Sequence, residues 1–270
     1  MAEVRRTALI TGSAKGLGKM AALTLANQGY DIVINYVHSE EEAHDLVRHI
    51  QNTGVRAAAI QGDVSRGEDI ERIAETVGET MGGVDVLVNN AGPFIRERKL
   101  FADYTRDEID YLIRGNLLGV IQLDHALLPH MRRKRWGRII HFGFGHAAEA
   151  RAWPHRAVYA AAKVGLVSFT KTLAEEEAAH GITVNMICPG DIRGANKEKQ
   201  IEEVENCPDD ETPRGRPGTG EDVARVLSFL CDPKSDFLTG NIMEVNGGLD
   251  PIQTLPMLKR GQVSSAPSRP

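Results

Sequence analysis

Three cysteines in 270 residues, Cys188, Cys207 and Cys231, share no CxxC spacing and have no histidine at metal-ligand intervals. That excludes a disulfide framework and a zinc site as the organising device, and leads us to expect a reduced, cytoplasmic protein. No window approaches the ~20 apolar residues of a membrane span. The opening MAEVRRTALITG passes into a strand pattern without an apolar leader, so neither targeting nor membrane insertion is expected. The net charge of -5 is spread over 32 basic and 37 acidic residues with no long block of either sign. No field therefore favours nucleic acid or an anionic membrane, and the expected partner is a small molecule. A last absence is local: from Ile121 through Val167 there is neither Ser nor Thr.

What is present can build one large core. At 41% hydrophobic residues the chain fits a single α/β domain over residues 1–250. Short apolar runs recur at TALI (7–10), DIVIN (31–35), RAAAI (56–60), VDVLVN (84–89), GRIIHF (137–142), ITVNMI (182–187) and NIMEV (241–245). These read as buried parallel strands. Between them, MAALTLANQ (20–28), EDIERIAETV (68–77) and AKVGLVSFTKTLAEEE (162–177) place apolar residues at i, i+3, i+4 and read as crossover helices. Alternating strands and helices imply a doubly wound, Rossmann-type parallel sheet of about seven strands. Two segments break the rhythm. Residues 190–220 are polar and rich in Gly, Pro and charge just past a strand end, the place for a lid over a substrate or for a merely disordered excursion. Residues 251–270 carry no period and read as a flexible tail.

TALITGSAKGLGKMAALTLANQG sets a strand, a glycine-rich turn and a helix in the order that dinucleotide binding needs. Gly12, Gly16 and Gly18 allow a sharp turn and a close backbone approach to a pyrophosphate, and the helix N-terminus offers unpaired N–H groups. Tyr159 and Lys163, at i and i+4, share one face of a helix. An ammonium about 4 Å from a phenol favours the phenolate by about 4 kcal/mol, enough to bring a pKa of about 10 towards 7. Such a phenol can exchange a proton with a carbonyl or alcohol oxygen near neutral pH.

The spacing TGxxxGxG (11–18), NNAG (89–92), Asn116 in RGNLLG, YAAAK (159–163) and CPGD (188–191) resemble, in that order, the motifs of the short-chain dehydrogenase/reductase family. The block RPGTGEDVARVLSFLCDPKSDFLTGNIMEVNGG (216–248) is similar to the 3-oxoacyl-(acyl carrier protein) reductase branch. The resemblance implies an oxidoreductase that reduces a carbonyl, with Tyr159 as proton donor, Lys163 on the nicotinamide ribose and Asn116 holding a water. It implies cofactor contacts at Gly12, Ser13, Lys15, Gly16, Leu17, Gly18, Asp63, Val64, Asn90, Ala91, Gly92, Pro189, Gly190 and Ile192. Tyr36 stands where an acid would bind the ribose hydroxyls of NADH, and Lys15 stands where NADPH-using relatives carry a cation. NADPH is therefore expected over NADH, with His38 and Ser39 adding hydrogen bonds and a solvated turn lysine as the plainer account of Lys15. A 3-oxoacyl thioester on acyl carrier protein or CoA, and a homodimer or homotetramer, follow by resemblance. The basic run RRKRWGR (132–138) suits either an acidic carrier surface or a helix C-terminus.

The family's catalytic Ser is missing. Counting forward from GRII reaches Phe144, and counting back from Tyr159 reaches His146, so a small insertion lies between them. Three outcomes stay open: His146 donates to the substrate oxygen, a backbone N–H of Gly143 to Gly145 does so at reduced rate, or the protein binds NADPH without turnover, for sensing or scaffolding. His141 and His155 read as a strand side chain and an exposed loop residue. The family's nicotinamide-binding Thr is replaced by Gly194.

Overall fold

The computed structural model of the protein describes residues 5–252. Within them runs a seven-stranded sheet of order β3-β2-β1-β4-β5-β6-β7, parallel at every pairing. The strands are β1 (Thr7–Ile10), β2 (Asp31–Tyr36), β3 (Ala57–Gln61), β4 (Val86–Asn89), β5 (Gly137–Phe142), β6 (Ile182–Pro189) and β7 (Ile242–Val245). The helices are α1 (Gly16–Asn27), α2 (Glu40–Gln51), α3 (Gly67–Met81), α4 (Arg106–Ile113), α5 (Gly119–Lys134), α6 (Ala157–Ala178) and α7 (Gly220–Cys231). The Rossmann-type expectation holds. The expected tail falls, from residue 253 on, outside the described residues.

The strands are apolar throughout because helices cover both faces. Ile32 and Ile34 look to one side, where they share a core with Leu25 of α1, Ile50 of α2 and Leu227 of α7. Leu9, Val33, Leu87 and Ile139 look to the other and meet Val77 of α3, Leu123 of α5 and Leu173 of α6. Leu9, Leu25 and Leu87 have no exposed surface; truncating one of them to Ala would cost about 2–5 kcal/mol.

Element boundaries move where local chemistry overrides the apolar pattern. The helix α1 starts at Gly16, not Met20, because the glycine-rich turn itself supplies its first turn. The ladder of β4 starts at Val86; ahead of it the Asp85 carboxylate accepts the Thr7 N–H at 2.9 Å and the Lys134 ammonium at 2.7 Å. Strand order reverses at β1, which pairs with β2 on one side and with β4 on the other. Ligands in such sheets bind past the carboxyl ends of the strands at that crevice, and the motif residues lie there.

Candidate active site

The glycine-rich turn is built as dinucleotide binding requires. Gly12 and Gly16 adopt φ of +59° and +63°, a left-handed backbone that a side chain disfavours. Gly18 has no room for one: a Cβ there would lie 2.7 Å from both Asn90 Nδ2 and Gly12 O. Asn90 Nδ2 donates to Thr11 O at 2.9 Å and to Gly12 O at 3.1 Å, while Thr11 Oγ1 accepts the N–H groups of Asn90 and Ala91. Asn35 Oδ1 accepts the Gly12 N–H at 3.2 Å, and its Nδ2 donates to Ile60 O and Gly62 O. Asn35 went unnoticed in the sequence because it reads as one polar residue in a strand. Ser13 faces inward, its hydroxyl donating to Ile10 O at 2.7 Å and its N–H to Asn35 O, bonds that shape the turn. Leu17 packs on the core. These residues fit a dinucleotide: the cradle is bare backbone and opens at a helix N-terminus.

Farther along the crevice, Tyr36 is buried, and burial, then Glu40, push its phenol above the ordinary value. His38 is exposed and Ser39 half-buried ahead of α2. Lys15 is ion-paired with Glu42. Asp63 Oδ1 accepts the Ser65 N–H at 2.9 Å, and the adjacent Val64 is buried.

The proton-transfer group gathers where β4, β5 and α6 meet. Lys163 is buried and its Nζ donates to Phe142 O at 2.8 Å. Asn116 lies in a π-helical turn, Arg114–Leu118, inserted between α4 and α5, a distortion that re-aims side chains and favours functional sites. Its Nδ2 donates to Pro93 O at 2.8 Å and Leu112 O at 3.0 Å, and its Oδ1 is buried without a partner. A Cβ on Gly92 would sit 2.5 Å from that oxygen and 3.4 Å from Lys163 Nζ, so Gly92, Asn116 and Lys163 converge. Pro189 ends β6, the Gly190 N–H donates to Val245 O at 3.0 Å, and Ile192 is buried beneath Gly218.

The expected depressed phenol is corrected by this geometry. Lys163 Nζ lies 5.9 Å from the Tyr159 ring centre and is turned to a carbonyl. Burial, with the nearby Cys188, pushes the Tyr159 phenol up, and burial brings Lys163 down to about 8 against a small opposing effect of Cys188. At neutral pH the phenol keeps its proton.

An aromatic wall surrounds the Tyr159 ring. Phe144 is buried, with its ring 4.7 Å from Trp153 and 6.0 Å from Tyr159. Trp153 meets Tyr159 edge-on at 6.1 Å, and Phe94 does so at 5.0 Å. Arg156 braces Phe94 from behind: its guanidinium lies 4.8 Å from that ring and donates to Glu97 O and Arg96 O. His146 adopts φ of +67°, its Nδ1 pairs with Glu149 Oε1 at 2.7 Å, and its N–H donates to Glu244 Oε1 at 2.9 Å. One nitrogen of the imidazole is thus engaged by the following turn. Among the backbone candidates, the Gly143 N–H is spent on Ile187 O at 2.8 Å. Gly194 opens a short helical turn, Gly194–Glu198, with φ of +49° and open space where a Cβ would stand.

Three further observations bear on function. His141 is fully buried, bound to Thr170 Oγ1 and to Asp124 Oδ2, both at 2.8 Å, while Asn89 Nδ2 donates to Asp124 Oδ1 at 2.7 Å. This network ties the ends of β4 and β5 to α5 and α6. The basic run is largely occupied within the molecule: Arg132 pairs with the buried Glu177, Lys134 with Asp85, and Arg138 is buried against Trp136, as the helix-end account holds. Among the described residues no cluster of His, Cys, Asp or Glu is suited to a metal ion, and no helix is long and apolar enough to cross a membrane.

The family model described as Enoyl-(Acyl carrier protein) reductase matches residues 12–250. The chain belongs to the short-chain dehydrogenase/reductase family. A Bacillus subtilis (strain 168) protein named "Putative oxidoreductase YtkK" is 48% identical over 248 residues, 92% of this chain and 97% of the relative. The 3-oxoacyl-[acyl-carrier-protein] reductase FabG of Staphylococcus epidermidis is 35% identical over 246 residues, 91% of this chain and 99% of that protein. Among solved structures, a "putative 3-oxoacyl-reductase" from Bacillus thuringiensis superposes with a TM-score of 0.86 at 44% identity, covering 92% of this chain and 100% of that one. The acetoin dehydrogenase YohF of Salmonella typhimurium superposes with a TM-score of 0.83 at 31% identity, covering 91% and 96%.

Proposed function

We propose that the protein is an NADPH-dependent carbonyl reductase in which Tyr159 is the only side chain that donates a hydrogen bond to the substrate oxygen. The observation that carries this reading is the convergence of Tyr159, Lys163 and Asn116 at the carboxyl end of the sheet, beside a glycine turn shaped for a dinucleotide. The nicotinamide, when bound, supplies the hydride. Gly12, Gly16, Leu17 and Gly18 would hold the phosphates, Lys15, His38 and Ser39 the adenosine ribose and its 2′-phosphate, and Asp63 and Val64 the adenine. Asn90, Ala91, Gly92, Pro189, Gly190 and Ile192 line the way to the nicotinamide end.

The protein's own contribution is proton delivery and shape. A phenol kept protonated by burial is the right form to give a proton to a carbonyl oxygen as charge develops there. Lys163, still mostly charged at pH 7, favours the phenolate that remains, and the open acceptor Asn116 Oδ1 suits a water that returns the proton. The rings of Phe94, Phe144 and Trp153 exclude water and offer apolar contact, which suits the acyl chain of a 3-oxoacyl thioester, carried on CoA or an acyl carrier protein, or a similar apolar ketone. A homodimer or homotetramer is the assembly we expect. Lack of a second preorganised donor costs about 2.7–4 kcal/mol of transition-state stabilisation, so turnover is slow.

The test follows NADPH absorbance with acetoacetyl thioesters, diketones and quinones, for the wild type and Tyr159→Phe. Slow oxidation of NADPH by the wild type, lost in the variant, is the expected result. Equal inertness of both, with NADPH still bound, would contradict an enzymatic role.

A further inference from the structure

The anion site at the start of α1 is filled by the protein itself. The segment after β6 turns through Gly194–Glu198 and brings the Glu198 carboxylate to the glycine-rich turn. Its Oε1 accepts the Gly16 N–H at 2.7 Å and its Oε2 accepts the Lys19 ammonium at 2.6 Å. Burial works against the charge, but the Gly16 N–H, Lys19 and Lys15 outweigh it and hold the carboxyl below its ordinary range. A carboxylate bonded to the first free amide of a helix and flanked by two lysines makes the contacts that a phosphate oxygen would make there.

The segment is also seated. Lys197 covers Gly16, where a Cβ would meet its stem at 3.7 Å, and the Lys197 carbonyl leaves no space for a Cβ on Gly220, the first residue of α7. Glu221 continues the brace: its Oε2 accepts the Ile201 N–H at 2.6 Å, and its own N–H donates to Lys199 O at 3.3 Å. Glu198 is therefore held at the phosphate position from both sides, by α1 and by α7.

We propose that Glu198 is an internal competitor for the dinucleotide phosphates: cofactor binding must displace its carboxylate from Gly16 and Lys19, which releases the strap 194–199 and frees Lys19 for the incoming anion. This rests on the dinucleotide reading of the glycine turn. A pyrophosphate and a carboxylate cannot share one helix N-terminus without like-charge repulsion, and cofactor affinity is lowered by whatever holds the competing state. Strap position and cofactor occupancy are then linked, and the residues that close over a substrate rearrange as the cofactor arrives.

The experiment titrates NADPH and NADH into the purified full chain by calorimetry, for the wild type, Glu198→Gln and Glu198→Ala. Melting temperature of the cofactor-free proteins serves to confirm folding. Both variants should bind both dinucleotides about tenfold more tightly, and in the absence of cofactor trypsin should cut after Lys197 and Lys199 faster in Glu198→Ala than in the wild type. Unchanged or weaker binding by folded variants overturns the proposal while leaving the dinucleotide reading in place. Failure of the wild type and both variants to bind either dinucleotide overturns both.

Discussion

The two ends of the site are made of different material. The dinucleotide end is backbone: the left-handed Gly12 and Gly16, the bare Gly18, and the amides and carbonyls that Thr11, Asn35 and Asn90 hold in place. The end proposed for the substrate is side chain: Phe94, Phe144 and Trp153 around the Tyr159 ring. A backbone site depends on glycine spacing and has almost no latitude, whereas a wall of side chains can be rebuilt residue by residue on the same fold.

Substitutions that separate the two ends sharpen the comparison. Tyr159→Phe should lower kcat by about a hundredfold to ten-thousandfold while the calorimetric NADPH affinity stays near the wild-type value; loss of binding would mean that the ends are not separable. Phe144→Ser, which puts a hydroxyl at the position reached by counting forward from GRII, should lower stability by about 3 kcal/mol through the cavity it opens, read in urea unfolding, yet raise kcat about tenfold or more. Gly18→Val should act on the opposite end: a side chain 2.7 Å from Asn90 Nδ2 and Gly12 O strains the turn by about 1–3 kcal/mol and weakens NADPH binding, with kcat at saturation little changed. Lys163 is charged below its pKa and neutral above it. With that pKa brought down to about 8, a pH–rate profile should be flat near neutrality and fall about tenfold per unit well above pH 8.

The sheet was largely legible in the sequence because strands buried on both faces are continuous apolar runs, and all seven runs became strands. The start of α1 was not, since Gly16 and Gly18 carry no apolar period although they open the helix. Within the site, Tyr159, Lys163 and Asn116 were found by motif, and the structure brings them together. The π-helical turn that aims Asn116 leaves no mark in residue spacing. Phe94 lies 65 positions from Tyr159 and Glu198 lies 182 from Gly16, so only tertiary packing could reveal either contact. The phenol's pKa went the other way from expectation because spacing along a helix says nothing of where a lysine's terminal amine is drawn, here to Phe142 O.

The central claim is that Tyr159 faces the substrate oxygen without a replacement donor from His146, whose Nδ1 is paired with Glu149. The steady-state kcat of His146→Ala with saturating NADPH and an acetoacetyl thioester tests it most directly. The account predicts a value within about twofold of the wild type, whereas a fall of about a hundredfold, the usual effect of removing a preorganised donor, would contradict it.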